Sequence, residues 1–312
     1  MPKAIVFALC LALIWGSSFP ISQLGIEQIG ALPFRVSVIF ISTVTLITCS
    51  YRHLISYLKK STLAEIASLS LLSVPNIFLV PLINNISLVY LPVSTATILI
   101  YMMPCFVSLL TMMAEKKVNL ISLCAILLCS SGVFILSGFD NFHIGEYLMI
   151  VNALIWAIGA FMSQRIVFKH IPLITTVCIQ MIATLVMTLM TYVVWVWQDH
   201  AIINLFNTDT LFTIPTIFSV FYIGIVGSAV VYYFWFRLIE LKSAEYTSYA
   251  TLLSPVISIA IAVTILREEI TNTTILGGSL ILISSFIMIM KPLVSRYWMR
   301  NQSHQPDKQS SN

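Results

Sequence analysis

Charged side chains are scarce in this chain. Asp, Glu, Lys and Arg make up 9% of its 312 residues, where a soluble domain carries about 25%. Hydrophobic residues reach 59%, far more apolar surface than a soluble core could bury. Histidine is equally uninformative as a catalyst: His53, His143, His170, His200 and His304 all fall in loops or the tail. Cys10, Cys49, Cys105, Cys124, Cys129 and Cys178 lie in or at the edge of apolar runs, with no C-x-x-C or Cys/His metal spacing. They read as small packing residues. No carboxylate pair faces a helix interior, so an intramembrane enzyme lacks its nucleophile, base or metal ligands. No cofactor is expected. Long polar stretches are missing too. The two longest, near 51–62 and 198–211, are too short to fold as domains, which removes a sensor with its own output module. The net charge of +4 is accounted for by loops and carries no nucleic-acid signature.

What remains is ten apolar runs, at roughly 4–24, 33–50, 66–90, 93–113, 118–138, 146–164, 171–197, 212–238, 244–266 and 273–291. Each is long enough to cross roughly 30 Å of hydrocarbon as a helix. The chain is therefore read as an all-α membrane protein with ten transmembrane helices. With the N-terminus inside, fourteen of the 16 Lys and Arg residues, from Lys3 to Lys308, fall on the inner side. Only Arg35 and Arg267 fall outside. That bias sets both termini in the cytoplasm. The start, M-P-K before an apolar run, lacks a cleavage site and reads as a retained span. The tail 301–312 is polar and reads as disordered.

The runs form two copies of one unit. Trp15, Ser22 and Gln23 recur as Trp156, Ser163 and Gln164, at an offset of 141. Pro104 recurs as Pro255, at an offset of 151, and each is followed by an acidic residue closing the helix, Glu115 and Glu268. The units are 1–140 and 141–300. Five crossings per unit is an odd number, so the halves run in opposite directions, an inverted repeat.

Here the chain resembles EamA-type members of the drug/metabolite transporter superfamily. The resemblance rests on W-G-S-S-F-P at 15–20, on Arg35 at the start of the second span, and on the Pro-to-Glu stretches 104–115 and 255–268. It covers about 4–291. One departure is that the first stretch spans eleven positions and the second thirteen, which points to a shortened or kinked fourth helix. The resemblance implies ten helices, a bacterial inner-membrane location and movement of small metabolites, often outward.

Polar groups within spans default to a functional reading. No Asp, Glu, Lys or Arg falls near the middle of a span, so the substrate cavity is expected to carry no fixed charge. In the third span Ser73, Asn76, Asn84 and Ser87 share an arc of about 80° at 100° per residue, with Asn85 opposite. Pro81 removes the backbone bond to residue 77. Two uses of these amides stay open: lining a cavity, or bonding neighbouring helices and the freed carbonyls. Tyr101 in span four and Trp15 and Trp156 in spans one and six lie at mid-depth, where a membrane-interface belt does not explain them. Ser18, Gln180, Tyr222 and Tyr249 complete the expected substrate-binding set. Tyr232, Tyr233 and Trp235 lie toward the inner face, where belt placement accounts for them. Glu115 and Glu268 read as charges that fix loops. The expected partners are a small amphipathic solute, such as an amino acid, and the lipid bilayer; a homo-oligomer is left open.

Overall fold

The computed structural model of the chain describes residues 2–137, 142–163, 171–199, 212–241 and 253–302. The described residues are helical, without strands, and form ten helices: α1 (Pro2–Ile29), α2 (Ala31–Leu58), α3 (Leu63–Ser87), α4 (Val93–Glu115), α5 (Leu120–Ser137), α6 (Ile144–Ser163), α7 (Leu173–Asp199), α8 (Ile214–Leu241), α9 (Leu253–Thr264) and α10 (Asn272–Gln302). Eight are long and apolar enough to cross a membrane; the described parts of α9 and α10 supply shorter apolar segments. The expected loop 198–211, most of the tail and the start of span nine lie outside the described residues.

Short-range chemistry sets the helix ends. Gly30 adopts φ 83°, a conformation that costs glycine nothing, so α1 turns into α2 through one residue. Thr62 and Glu65 form a capping box at the start of α3. Glu146, a buried carboxylate, accepts the His143 backbone N–H at 2.9 Å and caps α6. Lys116 after α4 and Arg267 after α9 both enter the left-handed region, at φ 53° and 60°. They are separated by the same 151 positions as Pro104 and Pro255.

The packing repeats the sequence duplication. Second helix packs on second (α2 on α7), fourth on fourth (α4 on α9) and fifth on fifth (α5 on α10). Further contacts have counterparts when the halves are exchanged: α1 on α9 with α6 on α4, α1 on α8 with α6 on α3, and α2 on α8 with α7 on α3. Two five-helix repeats are thus interleaved about a pseudo-two-fold axis, and five crossings each reverse the second relative to the first. The α5–α10 crossing is close enough that a Cβ on Gly277 would lie 2.5 Å from the Gly132 carbonyl oxygen, and one on Gly132 would lie 2.7 Å from that of Gly277. Small residues at such a crossing let backbones meet where no hydrophobic drive between helices exists.

Both third helices are irregular. α3 carries a π-helical segment at Val74–Leu79, and α8 carries one at Tyr222–Val230. α4 breaks at Tyr101–Met102, just before Pro104. Pro104 to the left-handed Lys116 spans the same twelve positions as Pro255 to Arg267, so the short Pro-to-Glu interval does not mark this break, which lies ahead of it. The Tyr101 carbonyl accepts the Ser285 hydroxyl from α10.

Candidate functional site

The irregular segments surround one cavity between the halves. It offers about 110 Å3 to the centre of a water-sized molecule and is walled by α1, α2, α3, α4, α6, α8 and α9. On α1, Trp15, Ser18 and Ser22 recur at helical spacing and face it together. Ser18 Oγ bonds back to the Ile14 carbonyl at 2.6 Å, so the hydroxyl adds little unsatisfied polarity.

Three tryptophans from three helices form its aromatic wall. Trp15 meets Trp156 edge to face with ring centroids 5.8 Å apart, and Trp235 lies 5.0 Å from Trp15 and 6.4 Å from Trp156. Such pairs favour edge or tilted contacts because ring faces are negative and ring edges positive.

α3 supplies the amide part of the wall. A π turn inserts the equivalent of one residue and sets every later side chain back by about 100°. Asn85, expected opposite, therefore reaches the cavity with Asn76 and Asn84, while Ser73 and Ser87 are buried away from it. Both uses left open for the amides are realised. Asn76 and Asn84 line the cavity, and they also bond across helices. Asn76 Nδ2 donates to Ser163 Oγ at 3.1 Å, and Asn152 Nδ2 on α6 donates to Asn84 Oδ1 at 2.7 Å and to the Val80 carbonyl at 3.0 Å.

The π turn also leaves carbonyls in search of donors, and two side chains arrive from elsewhere. Tyr232 of α8 donates its hydroxyl to the Asn76 carbonyl at 3.0 Å. Arg35 of α2 donates Nη2 to the Ile77 carbonyl at 2.6 Å. This is the carbonyl whose helical partner Pro81 cannot supply. Arg35 is 2% exposed, lines the cavity, and its Nε has no partner. The expectation of an uncharged cavity is therefore overturned. The sequence reading counted Arg35 as an outer loop charge because it begins a span. In the structure its long side chain turns inward, toward the gap opened in the middle of α3. Among the described residues, no carboxylate lines the cavity. Burying a cation beside a carbonyl dipole alone leaves a cost on the order of several kcal/mol.

Of the nine residues expected to bind substrate, Trp15, Ser18, Asn76, Asn84, Tyr101 and Trp156 line this cavity. Gln180 does not: it is buried on α7, a helix that packs on α2 and α3 outside the cavity wall. Tyr222 does not either; its hydroxyl bonds Ser17 at 2.7 Å and its ring stacks on Phe218. Tyr249 lies outside the described residues. Tyr232 and Trp235 are corrected from belt residues to cavity residues. The belt reading rested on depth along the span, which does not say which way a side chain faces. Glu268 fixes a loop as expected: its carboxylate accepts the Val93 and Ser94 backbone N–H groups at 2.6 and 3.0 Å. It thereby caps α4 where the helix N-terminus favours an anion. Glu115 is exposed. The two are not structural equivalents, since Glu115 precedes the left-handed residue of its half and Glu268 follows its own.

The sequence profile of the EamA-like transporter family matches residues 2–138 and again 143–290. The chain belongs to the EamA-like transporter family. Two relatives carry the match across whole chains. An uncharacterized transporter, YoaV, of Bacillus subtilis (strain 168) is 23% identical over 92% of this chain and 97% of its own length. An uncharacterized transporter of Archaeoglobus fulgidus is 23% identical over 93% and 100%. A solved crystal structure superposes with a TM-score of 0.60 at 15% identity, over 94% of this chain and 99% of that one, and it shares the fold. The EamA-like fold thus places the cavity on a membrane transporter rather than an enzyme.

Proposed function

We propose that this transporter moves small amphipathic organic metabolites, such as amino acids, across the bacterial inner membrane by alternating access, in the direction of export. The observation that carries the reading is the cavity itself. It lies between two interleaved halves and is lined by a tryptophan cluster and by amide side chains. A solute with an apolar body and a polar end matches those two faces. Two similar halves packed about an axis in the membrane plane can rock into inward- and outward-open arrangements of similar energy.

The reading includes both termini in the cytoplasm and repeats at 1–140 and 141–300. With Arg35 drawn into the cavity, Arg267 is the one cation left from the outer pair, so the positive-inside bias that supports this orientation grows. Single cysteines at Lys59 and Asp140, in a background lacking native cysteine, test it. Asp140 alone should label with an impermeant reagent in intact cells; equal labelling of both removes the ten-span topology. Efflux of radiolabelled amino acids and apolar metabolites from liposomes tests the transport reading. Wild-type protein should accelerate efflux of at least one solute that carries both apolar and polar surface. Movement confined to inorganic ions contradicts it.

A further inference from the structure

Arg35 is a buried cation whose electrostatic needs the protein leaves half met. One arm of the guanidinium is held by the Ile77 carbonyl at 2.6 Å, while Nε, equally buried, has no acceptor. A carbonyl offers a dipole and no charge. The other buried ionised side chain among the described residues is Glu146, which is engaged with the His143 backbone and does not line the cavity. Among the described residues, no carboxylate lines the cavity with Arg35. Buried arginines are ordinarily neutralised, and an anion entering the cavity would supply the charge that the described walls do not.

The surroundings narrow its kind. The Ile77 bond fixes the planar fork in place, and a planar carboxylate is its geometric match. Asn76 and Tyr232 also line the cavity, adding neutral polar groups, and the three tryptophans line it with them. We infer that Arg35 is the anion anchor of this site and that the transported solute carries a carboxylate at one end and an apolar body at the other. This inference rests on the transport reading above and names the substrate class within it. Because arginine keeps its charge throughout the physiological pH range, recognition should not vary between about pH 6 and 9 for a solute that does not itself titrate there.

The test uses full-length protein in liposomes and matched probes that differ at one group: leucine, leucinamide, isoamylamine and 4-methylvalerate, with the corresponding phenylalanine series. Flux is measured for each. Binding is read in parallel from intrinsic tryptophan fluorescence, since the tryptophan triad borders the cavity. Acids should be moved and bound, amides and amines not. R35Q should weaken binding of the acids about a hundredfold, and R35K should recover about a tenth of wild-type affinity by restoring charge without the fork. Amides or amines moved as well as acids would overturn the inference while leaving the transport reading intact. So would acids binding R35Q as tightly as wild type. No flux or binding of any probe by folded wild-type protein would remove both. Should R35Q fail to fold, the wild-type preference for acid over amide decides by itself.

Discussion

The third helices of the two halves occupy equivalent places and solve the same problem differently. α3 interrupts its α-helix around Pro75 and Pro81, and α8 does so around Gly224 and Gly227. Proline withdraws donors, so α3 leaves carbonyls that Arg35 and Tyr232 must answer. Glycine withdraws side chains, so α8 lets other helices press in: a Cβ on Gly224 would lie 2.8 Å from Ile41 Cγ2 and 3.1 Å from the Val38 carbonyl oxygen. One half therefore contributes most of the polarity of the cavity, and the other contributes Trp156, Trp235 and close packing. The duplication preserved shape and let chemistry diverge. A solute with two unlike ends can be held in one orientation only by a site of that kind.

Perturbing the shared shape should have the largest effect. Gly277→Leu forces a side chain against backbone on α5, from the Gly132 carbonyl to the Leu136 amide. Backbone cannot yield as a rotamer does, so the cost should exceed about 3 kcal/mol, the upper end for overpacking. Fluorescence-detected size exclusion should show loss of the monodisperse peak.

Next comes the aromatic wall. Trp235→Ala opens the tryptophan triad and should cost about 3 kcal/mol, as large aromatic truncations do, read as a lowered thermal midpoint in detergent. Trp197→Ala, at a position 79% exposed on the outside of α7, should change stability by no more than about 0.5 kcal/mol.

Smaller again is the contrast between the two acidic helix-end residues. Glu268→Gln removes an anion that caps α4 with two backbone bonds and should cost about 1 kcal/mol. Glu115→Gln, at an exposed position, should stay within about 0.5 kcal/mol. Equal losses would mean that the halves are more alike in their caps than their geometry indicates.

The smallest expected effect is none. Among the described residues no carboxylate lines the cavity, so transport without a proton relay is expected. A pH gradient with voltage clamped should drive no accumulation of a solute that does not itself titrate. Sustained accumulation would point to a coupling carboxylate outside the cavity wall.

The architecture was legible in sequence wherever the signal was periodic or additive. Ten apolar runs, lopsided charge and the recurring tryptophan and proline positions led to ten helices in two repeats. Trp15 and Trp156 were readable because a mid-depth tryptophan has few bland explanations. Asn85 was misread because a π turn shifts phase without any single residue that marks it, and Tyr232 and Trp235 because depth along a span does not say which way a side chain faces. Arg35 was misread because its position along the chain says where its backbone begins a helix, and not which way its side chain turns. The cue was present in Pro81: a carbonyl without its helical donor, at mid-membrane, requires one from elsewhere. Gln180 looked like Asn84 by depth, and only packing separates the two, since α7 stands outside the cavity wall.

The most direct test of the central account is the accessibility of Ser18, on the cavity face of α1. With Cys10, Cys49, Cys105, Cys124, Cys129 and Cys178 replaced, Ser18→Cys provides one thiol between the halves. Membrane-impermeant thiol reagent is applied separately to right-side-out and inverted vesicles. A cavity that opens alternately predicts labelling from each face, slowed from both by a transported solute. Labelling from one face only, unchanged by any transported solute, would contradict a rocking pair of halves around a central site.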